Sequence, residues 1–110
     1  KIMSQCLVYM TAPNDDEAIA IARALVDEQL AACVNIMGAM RSVYRWQGKI
    51  QEDAEIVLIA KTRSDLVPAL TEKIRDIHSY DCPCVVSLSI DGGNQEFLAW
   101  IDGQTRSDTP

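Results

Sequence analysis

The sequence is poor in aromatic residues and short of positive charge. Aromatic side chains make up 5% of its 110 residues, so the core has to be built from Ala, Val, Ile and Leu, which the chain supplies freely. Ten Lys and Arg stand against sixteen Asp and Glu, giving a formal net charge of −6. This balance repels phosphate backbones and leaves no basic stripe to release their counterions. Nucleic acid is therefore not an expected partner.

Long apolar runs and a regular cysteine framework are also missing. No apolar run approaches the roughly 20 residues of a membrane helix, and no basic region followed by an apolar stretch opens the sequence. We therefore expect no membrane insertion of this chain. The four cysteines, at positions 6, 33, 82 and 84, are irregularly spaced in a chain that is 48% hydrophobic. Such a chain needs no covalent cross-link, so free thiols in a reducing cytoplasm are predicted.

The elements that are present follow the order of one small α/β domain. Strand-forming runs bounded by turn residues predict four strands, at 6–10, 33–46, 56–60 and 85–90. Apolar residues at three- and four-residue spacing predict two helices, at about 15–30 and 65–78. Asn14 is placed to cap the first helix. The segment from Phe97 to Ile101 is expected to pack back as a short strand or helix.

This βαββαβ order is typical of a ferredoxin-like sandwich, an α+β fold in which two helices cover one face of a sheet. Residues 3–102 are assigned to that single domain and residues 103–110 to a flexible tail. A turn at Gly48-Lys49 joins the second and third strands. These two strands are expected to extend beyond the sheet as a β-hairpin arm that carries Tyr44 and Trp46.

The second face of the sheet is predicted to be apolar as well. Val57 and Ile59 point oppositely to Ile56 and Leu58, so this strand is apolar on both sides. No further element is left to cover that face, and another copy of the chain is the expected source of cover. The two arm aromatics are typical interface anchors. Oligomerisation is thus predicted from pattern, without a subunit number.

Several stretches spread over nearly the whole chain resemble the CutA divalent-cation tolerance family. Their joint order and spacing carry the resemblance. They are Thr11-Ala12-Pro13, LAACVN at 30–35, SVYRWQGKI at 42–50, Lys61-Thr62, His78-Ser79-Tyr80 with Pro83, and LAWI at 98–101. The resemblance implies a ferredoxin-like subunit, a homotrimer with interlocked hairpin arms, a cytoplasmic location and a link to tolerance of copper and other divalent metal ions.

The same resemblance points to candidate copper ligands in this chain. Where such ligands are proposed in the family, they resemble a Cys just before Thr-Ala-Pro and a pair of His residues before the tyrosine near the end of the second helix. Here these positions hold Met10 and the pair Ile77-His78. Imidazole is a good ligand for copper or zinc, whereas the thioether of Met10 suits only a soft ion such as Cu(I). A histidine near a helix end also caps carbonyl groups, so a structural role stays open.

A Cys-Pro-Cys sequence at 82–84 departs from the family pattern and follows His78 closely. The resulting H-x3-C-x-C group offers the soft ligands that Cu(I) or Zn(II) prefers. Two other interpretations stay open: the thiols fill a strand edge as small hydrophobes, or they carry out redox chemistry. Copper, as Cu(I) or Cu(II), is the expected cofactor and zinc the alternative. The candidate ligands are His78, Cys82, Cys84 and Met10.

A cleft between subunits is a second candidate site. The residues predicted to line it are Lys61, Arg45, Glu55, Tyr80 and Asp81, with Trp46 or Trp100 as an apolar wall, and they would form a polar pocket for a small anion. The protein would then be a sensing or signalling trimer, although ordinary surface charge explains the same residues. Nothing in the sequence assembles a nucleophile, a base and an oxyanion hole, so the chain is not expected to be an enzyme.

Overall fold

The computed structural model describes residues 4–107, which form four strands and three α-helices. Along the chain these are β1 (Gln5–Ala12), α1 (Asp15–Asp27), β2 (Cys33–Trp46), β3 (Lys49–Arg63), α2 (Val67–Ile77), β4 (Val85–Ser89) and α3 (Gln95–Gln104). A short 3-10 helix, Ser64–Leu66, leads into α2.

The four strands form one antiparallel sheet in the order β2-β3-β1-β4. The predicted mixed α+β class is confirmed, and this strand order is that of a ferredoxin-like sandwich. Alternate residues of β1 and β3, including Val8, Met10 and Leu58, pack with α1 and α2 in one buried core. The intervening residues of the same strands point to the opposite face because successive side chains of a strand alternate.

Helix α1 begins where the sequence predicts it. The Asn14 side chain accepts a hydrogen bond from the Glu17 backbone N–H at 2.8 Å, which satisfies one of the orphan donors of the first turn. The helix ends at Asp27, about three residues before the predicted end. The chain turns there because Gln29 adopts a left-handed conformation with φ of 57°.

The hairpin arm consists of the outer halves of β2 and β3. Its tip is a two-residue turn in which Gln47 and Gly48 both have positive φ, as a tight hairpin requires. The pairing of β2 with β3 shifts register at Gly38, between Met37 and Ala39, and β2 continues through this irregularity. Within the described residues, most side chains of the arm are exposed.

Helix α3 lies on the face of the sheet turned away from α1 and α2, here called the open face. Phe97 of α3 lies under Lys61, whose Nζ is 5.9 Å from the ring centroid, and Gln5 Nε2 donates to Asp102 Oδ1 at 3.0 Å. The expectation that no element covers this face is therefore wrong at one end. The rest stays uncovered in the single chain, since Val86 and Leu88 remain exposed.

The last part of the chain is ordered further than its polar sequence suggests. The boundary predicted at residue 102 falls inside α3, and Thr105 beyond it is buried, with its Oγ1 accepting a hydrogen bond from Arg63 Nη1 at 3.2 Å. Residue 3 of the predicted domain and residues 108–110 of the predicted tail lie outside the described residues. Between residues 4 and 107, no helix is long and apolar enough to cross a membrane.

Candidate functional site

A cavity of about 450 Å³ lies where the hairpin arm meets the segment between α2 and β4. It is here called the arm cavity. Its walls come from the end of β1, both strands of the arm and the 79–84 segment. They are formed by Thr11, Tyr44, Trp46, Glu55, Ser79, Tyr80, Asp81, Cys82 and Cys84.

Strand alternation explains why these residues meet. Thr11 and Glu55 lie on the same side of the sheet as Val57, which pairs with Thr11 across β1 and β3. The cavity therefore opens on the open face, at the end away from α3. Thr11 and Ser79 were not predicted as site residues, and the register of β1 against β3 is the signal that places Thr11 there.

A hydrogen bond between Tyr80 and Glu55 closes the inner wall of the arm cavity. The phenol of Tyr80 donates to Glu55 Oε2 at 2.9 Å, and Glu55 is only 9% exposed. Burial raises the pKa of Tyr80, and the hydrogen bond and negative charge of Glu55 raise it further. The phenol is therefore a neutral donor at physiological pH, and it shields a carboxylate that would otherwise stand unpaired beside the core.

Cys82 and Cys84 lie together on the rim of this cavity, as free thiols. Cys82 is exposed and Cys84 is half-buried. Burial raises the pKa of Cys84, with smaller contributions from the Glu55 carboxylate and from Cys82. Cys84 is therefore mostly a thiol at neutral pH, and any ligand that needs its thiolate must displace a proton.

His78 lies behind Tyr80 and does not line the arm cavity. Its Nε2 is 2.8 Å from the Thr11 carbonyl oxygen, and its Nδ1 accepts from the Tyr80 backbone N–H at 3.0 Å. A backbone N–H can only donate, so Nδ1 is the acceptor in that bond and Nε2 the donor to Thr11. The Glu17 carboxylate also lies 3.4 Å from Nδ1. The side chain is 1% exposed. Both ring nitrogens are thus occupied, and His78 positions Tyr80 instead of facing a ligand.

Met10 pairs with Val85, the residue next to Cys84, but its side chain is used in the core. It belongs to the alternate set of β1 residues that point into the core under α1 and α2, where it is fully buried. Within residues 4–107, no group of three or more His, Cys, Asp or Glu side chains is arranged to hold a metal ion. The four predicted ligands are therefore not brought together in one chain. Cys82 and Cys84 line the same cavity. His78 is hydrogen-bonded to the backbone, and Met10 is buried in the core.

The residues predicted to line the anion cleft are not brought together in one chain either. Tyr80 and Trp46 line the arm cavity, but Lys61 hydrogen-bonds Asn35 Oδ1 near α3, and Arg45 Nη1 donates to the Gly48 carbonyl oxygen at 3.5 Å. Among the described residues, the cavity wall carries two carboxylates and no Lys or Arg. The sign of its charge is opposite to the one that an anion requires.

Comparison with known proteins gives a consistent result over nearly the whole chain. The family model described as CutA1 divalent ion tolerance protein matches residues 6–104. The rice protein "Protein CutA 1, chloroplastic" (Oryza sativa subsp. japonica) is 48% identical over 100 residues, covering 91% of this chain and 56% of that protein. The "Divalent-cation tolerance protein CutA" of Thermus thermophilus is 44% identical over 99 residues, covering 90% and 96%.

Solved structures agree with the sequence comparison. The crystal structure of CutA1 from Oryza sativa superposes with a TM-score of 0.93 at 46% identity, covering 96% of both chains. A structure from Archaeoglobus fulgidus, described as a periplasmic divalent cation tolerance protein, gives 0.88 at 40% identity, covering 91% and 97%. The chain spans little more than half the length of several curated relatives, 56% for the rice and mouse proteins. The chain belongs to the CutA1 divalent ion tolerance protein family.

Proposed function

We propose that this chain is a non-enzymatic divalent-cation tolerance protein that binds copper, or a similar soft ion such as zinc, through Cys82 and Cys84. We further propose that it acts as a cytoplasmic homotrimer. The observation that carries the metal proposal is the placement of two free thiols, two residues apart, on the rim of one acidic cavity. The family name supplies the divalent-cation context.

The chemistry of the rim favours a soft cation. Thiolates prefer Cu(I) and Zn(II) over hard ions, and Cu(I) tolerates a small number of ligands. The carboxylates of Glu55 and Asp81 line the same cavity and add negative charge around the thiols. His78 and Met10 are left out of the ligand set because their donor atoms are used within the fold or buried.

Proton competition gives the metal proposal a distinct signature. Because the pKa of Cys84 is raised by burial, binding has to release a proton at neutral pH. The apparent affinity for Cu(I) should therefore increase with pH across the neutral range and level off once Cys84 is ionised. Binding through carboxylates alone would level off at a much lower pH.

The metal proposal is tested by titrating the reduced protein with Cu(I) against a competing chelator. The paired change Cys82→Ser and Cys84→Ser should weaken binding by about a hundredfold or more. Cys33→Ser is a matched control, since Cys33 is also a free, half-buried thiol but lies outside the cavity. Unchanged affinity in the paired variant, or an equal loss in the Cys33 variant, would remove Cys82 and Cys84 as the site.

Exposed apolar side chains support the homotrimer. They occupy the uncovered part of the open face and the arm, and they include Met37, Val43, Trp46, Ile50, Val86 and Leu88. A patch of this kind marks an interaction surface, and a closed ring of identical chains is a common way to bury it. The free thiols favour a reducing compartment such as the cytoplasm, where disulfides are rare.

Sedimentation of the purified chain tests the assembly. We expect the mass of three chains at micromolar concentration, and we expect Ile50→Asp to shift the protein to smaller species because it places a charge on the arm. Ile19→Asp is the control, since Ile19 is an exposed apolar residue on α1, away from the open face. A wild-type chain that sediments as a compact monomer would contradict the proposal.

A further inference from the structure

The aromatic content of the arm cavity is high for a chain with so few aromatic residues. Tyr44, Trp46 and Tyr80 all line it, and the charged side chains among the described lining residues are Glu55 and Asp81. Aromatic faces carry negative electrostatic potential, and so do carboxylates. The wall chemistry therefore matches a positively charged ligand with apolar surface, and it does not match an anion.

Two of the three rings are made more electron-rich by their hydrogen bonds. Tyr80 donates to Glu55 Oε2 at 2.9 Å, and Tyr44 donates to Asp53. A phenol that donates its proton to a carboxylate gains electron density in the ring, because the bond polarises the O–H group toward the phenolate form. Such a ring attracts a cation over its face more strongly than a phenol bonded to water.

The bonding of the inner carboxylate favours an organic cation at the same place. Glu55 is 9% exposed, and within residues 4–107 its hydrogen-bond donor is the phenol of Tyr80, which carries no positive charge. A buried carboxylate without a cationic neighbour attracts a counter-charge. The cavity has a volume of about 450 Å³, which lies within the range of small-molecule sites. This volume is far larger than a bare metal ion needs.

We propose that the arm cavity binds a small organic cation, of the class of protonated or methylated amines. The ammonium group would contact the faces of Trp46, Tyr44 and Tyr80, with Glu55 and Asp81 as counter-charges. This function goes beyond metal binding, because it uses the rings and carboxylates of the cavity and leaves the thiols of Cys82 and Cys84 out of the contact set.

The experiment uses choline and its neutral carbon isostere, 3,3-dimethyl-1-butanol, as probes of the full chain. Binding is followed by the shift of the Trp46 indole N–H signal in NMR spectra, with Trp100→Leu identifying the signal, since Trp100 lies on α3 outside the cavity. We expect choline to bind about tenfold or more tightly than the isostere. Equal binding of the two probes, or no binding of choline up to high millimolar concentration, would overturn the proposal.

Variants separate this site from the thiol site. Glu55→Gln and Trp46→Leu should each weaken choline binding by about tenfold, whereas Trp100→Leu should leave it unchanged. Trp46 is 47% exposed, so its replacement leaves the core of the single chain intact. Sedimentation of the Trp46→Leu variant then separates a lost ligand contact from a lost subunit contact. The paired Cys82→Ser and Cys84→Ser variant should bind choline normally. Loss of choline binding in that pair alone would contradict a site built from rings and carboxylates, whatever the outcome of the metal titration.

Discussion

The inner and outer halves of the β2–β3 hairpin share one hydrogen-bonded ladder, from Cys33 paired with Lys61 to Trp46 paired with Lys49. Their side chains nevertheless have opposite surroundings. Leu58 in the inner half is fully buried, whereas Ile50 in the outer half is 69% exposed. The inner half lies under α1 and α2 and beside β1, and the outer half has no comparable neighbour among the described residues.

Backbone pairing alone therefore does not give an apolar side chain a place to pack. The ladder satisfies the peptide groups of the arm, but burial of side chains needs a second layer. The arm cavity lies at the junction of the two halves. Along β3, Glu55 is the first mostly buried residue after the exposed residues of the arm. The following predictions compare variants on the two sides of that junction.

The largest difference is expected between Leu58→Ala and Ile50→Ala. Leu58→Ala leaves a cavity in the core and should lower the free energy of unfolding by about 3 kcal/mol. Ile50→Ala should change the stability of the single chain by about 0.5 kcal/mol or less. Both are measured by urea unfolding at two protein concentrations, because self-association adds a concentration-dependent term. Equal losses at the lower concentration would mean that the arm is packed within its own chain.

His78→Ala tests the link between the core and the cavity wall. It removes a buried ring and leaves the Thr11 carbonyl and the Tyr80 N–H without their partner, so a loss of about 2 kcal/mol is expected. Ile77→Ala, at the exposed neighbouring position, is the control and should cost well under half as much. If the two variants unfold at the same urea concentration, His78 does not hold the segment in place.

Two tyrosine–carboxylate bonds offer a matched pair on either side of the junction. Tyr80→Phe removes the hydrogen bond to the mostly buried Glu55 and should lower the free energy of unfolding by about 1 kcal/mol. Tyr44→Phe removes the corresponding bond to the exposed Asp53 and should have no measurable effect. A larger loss in the Tyr44 variant would reverse the proposed difference between the inner and outer halves.

Local sequence signals predicted the strands, the start of α1 and the turn of the arm well. Asn14 caps α1, the four strands lie where β-forming runs occur, and the arm turns close to Gly48. These features depend on residues within a few positions of each other. The segment from Phe97 to Ile101 was predicted to pack back as a short strand or helix, and it lies in helix α3. The face that α3 covers was not predicted, because it depends on contacts between distant parts of the chain, such as the bond from Gln5 to Asp102.

The candidate site was harder to predict for the same reason. His78 looks like a metal ligand in the sequence, but its ring bonds the Thr11 carbonyl, 67 residues earlier in the chain. Lys61 and Glu55 lie on one strand and one face, yet only Glu55 reaches the arm cavity. Sequence motifs gave the residue types of Cys82, Cys84, Tyr80 and Trp46, and the sheet register was needed to show which neighbours they have.

The smallest expected effect is the contribution of the cavity to a loss of stability at alkaline pH, beside that of the core thiol Cys6, whose pKa is also raised by burial. The folded state raises the pKa of Cys84 above 9.0 through burial, so the folded chain holds this proton more tightly than the unfolded chain does. That contribution is complete at neutral pH and is lost as the pH rises through the folded-state pKa, with Tyr80 adding a second loss above about pH 10.

Because Cys84 is partly exposed, solvent screening keeps its effect below about 1 kcal/mol between pH 8 and 10. Urea unfolding across this range should show a falling midpoint in the wild type and a flatter profile in Cys84→Ser. Cys33→Ser is expected to follow the wild type, because Cys33 lies outside the cavity. A Cys84→Ser profile as steep as that of the wild type would show that the alkaline loss arises away from the junction between the arm and the sheet.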